Sequence, residues 1–229
     1  MTHLTLLEGV YMKDKNPNWQ QKPSHLATML LIDNSGSMGP LKASTELAVE
    51  RFLADQAAQP GLVTVDIVLF NSAYELTHRM SSPESVKINL RPHGGTSLYD
   101  VVAICIEGFA KELEELPDYE PVTQVLVGII SDGQDTTSIV HNAASLKEII
   151  DAKQEQSQWE FLYLAANQDA ILNARKMGIR DDASINFDAD SGGVSNAGQA
   201  ASRFVSDVRN GSRNGFTEAE RGAASSRDS

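Results

Sequence analysis

Two apolar runs, each closed by an aspartate, constrain this chain more than any other feature. Leu26-Ala27-Thr28-Met29-Leu30-Leu31-Ile32 stops at Asp33, and Val125-Leu126-Val127-Gly128-Ile129-Ile130 stops at Ser131-Asp132. Short, continuously apolar runs of this kind read as strands buried on both faces. Leu62 to Phe70 alternates and is rich in Val and Ile, Trp159 to Ala165 reads as a further strand, and Ala183 to Phe187 as a last one. Between them lie helical stripes. Leu41, Thr45, Ala48, Val49 and Phe52 follow Pro40, and Leu98, Val101, Val102, Cys105, Ile106, Phe109 and Leu113 keep the 3.6-residue period closely. Ile139, Ala143, Leu146, Ile149 and Ile150 mark a helix that Thr136, Thr137 or Ser138 can cap; Asp169 to Met177 is a short helix stopped by Gly178. Val194, Ala197, Ala201, Phe204, Val205 and Val208 mark the closing helix. Strands alternating with helices predict an α/β fold, doubly wound, with a mostly parallel central sheet and helices on both faces. The Asn71-Ser72 turn sends Tyr74 to His78 back as one antiparallel edge strand.

In open sheets of this class the ligand site lies outside the carboxyl ends of the strands, so Asp33 and Asp132 arrive on one rim. The polar segments there are Asp33-Asn34-Ser35-Gly36-Ser37, Gly94-Gly95-Thr96 and Ser131-Asp132-Gly133. Their carboxylates and hydroxyls are hard oxygen donors, suited to Mg²⁺, Mn²⁺ or Ca²⁺. A site with two carboxylates and otherwise neutral hydroxyls quenches a divalent charge poorly, so it calls for an anionic oxygen from outside. Gly36, Gly94, Gly95 and Gly133 let the backbone turn tightly enough to aim their neighbours inward.

In order and spacing these segments resemble the von Willebrand factor A (vWA) family and its metal-ion-dependent adhesion site (MIDAS). That pattern is DxSxS after the first strand, a Thr in a later loop, and an Asp ending the fourth strand; Asp33, Ser35, Ser37, Thr96 and Asp132 match it. The resemblance implies a Rossmann-like vWA domain with Ser35, Ser37 and Thr96 as direct hydroxyl ligands, and Asp33 and Asp132 acting on the ion directly or through water. It also implies that an Asp or Glu of a partner protein completes the coordination. Asn34, Met38, Gly95, Gly133, Gln134 and Asp135 would form the rim that meets this partner. Intracellular bacterial members are often adaptors for AAA+ ATPases or belong to stress-response clusters, and the segments from Phe161 to Asp169 and Lys176 to Ile179 resemble short bacterial and phage members.

Length and the 41% hydrophobic content suit one domain spanning 26–208, with an N-terminal arm over 1–25 and a flexible, polar C-terminal tail over 209–229. A net charge of −12 argues against nucleic acid and against anionic membranes as partners. One cysteine cannot form an internal disulfide, and no apolar stretch is long enough to span a bilayer, so the expected location is cytoplasmic. The enzymatic alternative is a metal-dependent hydrolase or phosphatase on the same cation site. An aspartyl phosphatase usually places a second Asp two residues after the first, where this chain has Ser35. There is no Gly-x-Ser-x-Gly elbow, no phosphate-binding Gly-rich loop and no zinc spacing among the histidines, of which His93 is nearest the site. A protein-binding module without catalysis is the expectation.

Overall fold

The first apolar run forms β1 (His25–Asp33), buried at every position, as a strand covered on both faces must be. The computed structural model describes residues 24–117, 121–133, 135–156, 158–166 and 170–225. β1 pairs in parallel with β2 (Leu62–Phe70) on one side and with β4 (Gln124–Ser131) on the other. β5 (Trp159–Ala165) and β6 (Ser184–Asn186) continue the parallel sheet, and β3 (Tyr74–Ser81) returns antiparallel along β2. The order is β3-β2-β1-β4-β5-β6. Successive crossovers run to opposite sides of β1, so the winding reverses between β1 and β4, and Asp33 and Ser131-Asp132 end the two strands at that switch point.

The helices cover both faces. α1 (Lys42–Ala57) packs against α5 (Ser191–Arg209), and their small residues meet Leu30, Ile130, Leu162 and Leu164 of the sheet. α2 (Leu98–Glu114) and α3 (Ala143–Gln154) pack together, and Phe109 of α2 meets Trp159 edge-on at a ring separation of 6.2 Å on the opposite face. α4 (Ala170–Lys176) and α6 (Glu218–Ala224) contact β6. The doubly wound sheet with one antiparallel edge is as the sequence implies.

Two expectations are corrected. The helix after β4 begins at Ala143, not near Ile139. Asn142 caps it, its side chain accepting from the backbone of Ala144 and Ser145, while Ser145 answers the Asn142 N–H. That reciprocal capping box outcompetes Thr136, Thr137 and Ser138, which bond to the Thr96–Asp100 segment instead. The second correction concerns the tail. Phe216 is buried against Phe204 at a centroid distance of 5.4 Å, and Thr217 and Glu220 form a capping box that opens α6. Arg203 holds Glu220 at 2.6 Å and donates to the carbonyls of Asn214 and Gly215. Polar residues that read as a solvated tail are spent on caps and ion pairs, so the packed unit extends through Ser225 among the described residues. The arm lies outside the described residues except for its last two positions, Ser24 and His25; His25 opens β1.

Candidate metal centre

Asp33 is the last residue of β1 and is fully buried, 0% exposed. Its Oδ1 accepts the Ser35 N–H at 2.8 Å, a local turn that bends the chain off the strand end. Its Oδ2 accepts the Ser131 hydroxyl at 2.7 Å, bridging β1 to the neighbouring β4. The backbone then enters a 3-10 turn, Gly36–Leu41, with Pro40 inside it. That turn leaves Ser37 exposed and drives Met38 into the core. The Ser35 and Ser37 hydroxyl oxygens lie 3.1 Å apart, and Ser37 Oγ donates to Asp132 Oδ1 at 2.9 Å. Three of the five expected ligands, Ser35, Ser37 and Asp132, thus form one continuous line of oxygens, and Asp33 is tied to it by the Ser35 N–H.

The fifth, Thr96, is delivered by a loop sewn to the first one. Gly36 N–H donates to the Gly94 carbonyl at 3.1 Å, His93 N–H to the Asn34 carbonyl at 2.9 Å, and Arg91 N–H to Asn34 Oδ1 at 2.8 Å. Gly94 has φ +73°, a left-handed conformation costly for other residues. At Gly95 a Cβ would lie 2.9 Å from Thr137 Cγ2, so only glycine admits this approach. The Thr96 N–H donates to Thr136 Oγ1 at 2.9 Å, and its carbonyl accepts from Thr136 and Thr137 at 2.8 and 3.1 Å. With its backbone fully engaged and its side chain buried at the rim, Thr96 is fixed in place.

The loop from Asp135 to His141 also caps α2. Asp135 Oδ1 accepts from Tyr99 N–H at 3.3 Å and from the Ser138 hydroxyl at 2.5 Å, and Ser138 Oγ accepts from Asp100 N–H at 3.0 Å. These satisfy donors that a helix start otherwise leaves open. Asp100 answers by accepting the N–H groups of Ile139, Val140 and His141 at 2.8, 3.1 and 2.6 Å. Against the cost of burial, those three donors hold its carboxyl below the usual range. The clamp displays Ile139 and Val140 at 92% and 73% exposure on a turn tied to the Thr96 loop.

Burial raises the Asp33 carboxyl above its ordinary range, opposed by the Ser131 and Ser35 hydrogen bonds. Asp132 is raised by burial too, opposed by Ser37 and reinforced by the nearby charge of Asp33. Two carboxylates that each resist ionisation, beside three hydroxyls, are what a bound divalent cation would relieve. Among the described residues no group of three or more His, Cys, Asp and Glu that could hold a metal ion is found, and the donors at this rim are oxygens of Asp, Ser and Thr. Asp33, Ser35, Ser37, Thr96 and Asp132 therefore fit a hard divalent ion.

The expected rim is only partly on the surface. Met38 is 0% exposed and belongs to the core, because the 3-10 turn points it away from solvent; Asn34 is buried and spends its polar groups on the Arg91 and His93 backbone. Asp135 is half-buried and acts as the α2 cap. Gly95 and Gly133 are half-buried at the rim, and Gln134 lies outside the described residues. His93 is engaged with the Arg91 carbonyl at 2.7 Å and with Asn71. Sequence reasoning missed the roles of Ser131 and Thr136. The signal for Ser131 was its strand parity: it sits beside Asp33 in adjacent strands.

No family model matches the chain, and no curated protein does. Solved structures match its fold. Proximal thread matrix protein 1 from the mussel byssus aligns with TM-score 0.59 at 11% identity, covering 80% of this chain and 46% of that one. A von Willebrand factor type A protein from Catenulispora acidiphila aligns with TM-score 0.53 at 15% identity, covering 78% and 42%. The mussel protein with a zinc-occupied MIDAS motif aligns with TM-score 0.50 at 13% identity, covering 82% and 45%. The chain thus spans a little under half the length of these proteins, and its fold is that of a von Willebrand factor A domain.

Proposed function

We propose that the protein is a metal-dependent binding module, in which Asp33, Ser35, Ser37, Thr96 and Asp132 hold one divalent cation and an acidic side chain of a partner protein completes it. The observation that carries this reading is the oxygen line from Ser35 through Ser37 to Asp132, tied to the Asp33 carboxylate by the Ser35 N–H, at the strand-order switch point. When bound, the cation supplies an electrophilic position toward solvent. The chain's own residues hold the carboxylates in place, bury Asp33 at the strand end and fix Thr96 through its backbone. The MIDAS zinc of the mussel protein supports a divalent ion at this place in the fold. The all-oxygen donor set favours Mg²⁺, with Mn²⁺ or Ca²⁺ as the other hard candidates.

The apolar turn at Ile139 and Val140 supports a protein as the partner, since exposed aliphatic pairs gain from burial against another surface. An adaptor role fits, with an AAA+ ATPase or a stress-response or phage protein among the partner classes that the family resemblance suggests. A cytoplasmic setting belongs to the same proposal; among the described residues no helix is long and apolar enough to cross a membrane. Catalysis is not part of the reading.

The test is affinity capture from native lysate with Mg²⁺, with chelator, and with Asp132→Ala. A partner retained only by the wild type with metal supports the reading. Equal capture in all three arms places the interface elsewhere. Hydrolysis of a phosphoester or ester that copurifies with the protein and vanishes in Ser37→Ala would replace binding with catalysis.

A further inference from the structure

Tyr163 lies in the middle of β5 and is fully buried, 0% exposed. Its hydroxyl has no hydrogen-bond partner among the described residues. A buried hydroxyl left unmatched is destabilising, and phenylalanine would fill the same space without that cost. The strand parity says on which face of the sheet the ring lies. Trp159, Phe161, Tyr163 and Ala165 share the face that meets α2, and Ala165 is in register with Ser131, which donates to Asp33. Tyr163 pairs with Ile129, so it stands one pleat repeat, about 6.6 Å, beneath the row that carries Ser131 and Asp33. A long side chain leaning along its strand covers that distance. Apart from burial, the charges bearing on the phenol are those of Asp33, Tyr99 and Asp132, and all act to keep it protonated, hence a donor.

We propose that Tyr163 is a positioning residue of the metal centre, its hydroxyl a buried donor that reaches the Asp33–Asp132 carboxylate pair through water when a divalent cation is bound. This rests on the metal-binding reading above. The phenol does not touch the ion; it limits the orientations open to the carboxylates from beneath, as Ser131 does from the side. The orphaned hydroxyl is then a cost of the ion-free state that the bound state removes.

Tyr163→Phe tests the role, with Mn²⁺ and Mg²⁺ as probes in calorimetry and thermal unfolding of the ion-free protein alongside. Cation affinity is expected to fall about tenfold, the lower end for groups that support metal ligands. Ion-free stability is expected to stay level or rise, since the variant carries no unmatched hydroxyl. A purely structural tyrosine would lower both together, so the opposite signs separate the two roles. The tyrosine difference spectrum on Mn²⁺ addition should also shrink in Tyr163→Phe more than in Tyr99→Phe. Cation affinity within twofold of wild type overturns the inference, as does a parallel loss of stability and affinity. If the wild type binds neither ion, the metal-binding reading and this inference fall together; if it binds and Tyr163→Phe binds equally, only the inference falls.

Discussion

Two aspartates are almost completely removed from solvent in neighbouring strands, and they are put to opposite uses. Asp33 ends β1, accepts from Ser35 N–H and the Ser131 hydroxyl, and adjoins Asp132 on a rim open to a cation. Asp66 sits inside β2, accepts the Met80 N–H at 2.7 Å, and faces the carboxyl of Glu112, which Arg79 holds at 2.5 Å. Burial is the largest influence raising both carboxyls. At Asp66 the Met80 bond offsets it too little and Glu112 adds to it, so the carboxyl is raised from 3.8 to about 6. The Met80 bond has another use: Met80 adopts φ +43°, and its N–H is tied down where β3 departs from regular register with β2. Burial alone therefore does not mark a metal ligand. The donors around the carboxylate and the open side of its pocket are what separate the proposed cation site from a carboxyl that holds a proton.

The largest expected effect is at the rim. Asp132→Ala should weaken Mg²⁺ or Mn²⁺ binding by at least about 100-fold, or roughly 2.8 kcal/mol at 1.4 kcal/mol per decade, with circular dichroism unchanged because Asp132 is half-buried beyond the strand end. Asp33→Ala should abolish binding too, but it strips a fully buried acceptor from Ser35 and Ser131 and destabilises the fold as well; Asp33→Asn keeps the acceptor for the Ser35 N–H and offers the Ser131 hydroxyl oxygen an amide donor in place of the other, so it is the cleaner variant. Protons compete with the ion at both raised carboxyls, so cation affinity in calorimetry should fall as pH drops through their range. Affinity that ignores both substitutions would put the cation at another site.

The position of the rim was legible in the sequence because its candidate ligands follow strand ends that apolar runs announce. Asp33 and Asp132 needed only the position of those runs, and Thr96 needed the family resemblance. The rest depends on tertiary pairing that leaves no local mark. Thr136 and Ser138 look like helix caps, and they do cap, but they serve the Thr96 loop and α2 and not the helix that follows them. Met38 looks exposed between glycines, yet a 3-10 turn buries it. The segment after Arg209 looks unfoldable by composition, because one aromatic, Phe216, and one arginine, Arg203, do the work of a small core. Tyr163 is indistinguishable from its apolar neighbours until the register of β4 and β5 is known.

The proton-binding side of the comparison gives the next effect. A carboxyl raised from 3.8 to about 6 in the folded state binds more protons folded than unfolded between those values. Its stabilisation is complete below the unfolded value and is lost as pH rises through the folded one. At about 1.4 kcal/mol per pH unit, that loss is at most on the order of 3 kcal/mol by neutral pH. Asp66→Asn keeps an acceptor for Met80 and offers Glu112 a donor. It should therefore raise stability at pH 7 by about 1–2 kcal/mol and flatten the stability profile between pH 4 and 7, measured by urea unfolding across that range. An unchanged slope would mean that Asp66 holds no extra proton, and the two aspartates would then differ only in place.

The smallest effect isolates what makes Asp33 different. Ser131→Ala removes one donor from the Asp33 carboxylate and leaves the Ser35 bond intact. A hydrogen bond to a charged group contributes roughly 1.5–3 kcal/mol, and water reaching the half-open rim recovers part of it, so the stability loss should be near 1 kcal/mol. With a lowering influence gone, the Asp33 carboxyl should rise further, and cation affinity should fall several-fold more at pH 5.5 than at pH 8. Asp66 has no such hydroxyl to lose, so the same pair of measurements on Asp66→Asn should leave cation affinity unchanged at both pH values. If Ser131→Ala shifts stability but not the pH dependence of binding, the serine merely joins β4 to β1, and the charge of Asp33 is maintained by the Ser35 turn alone.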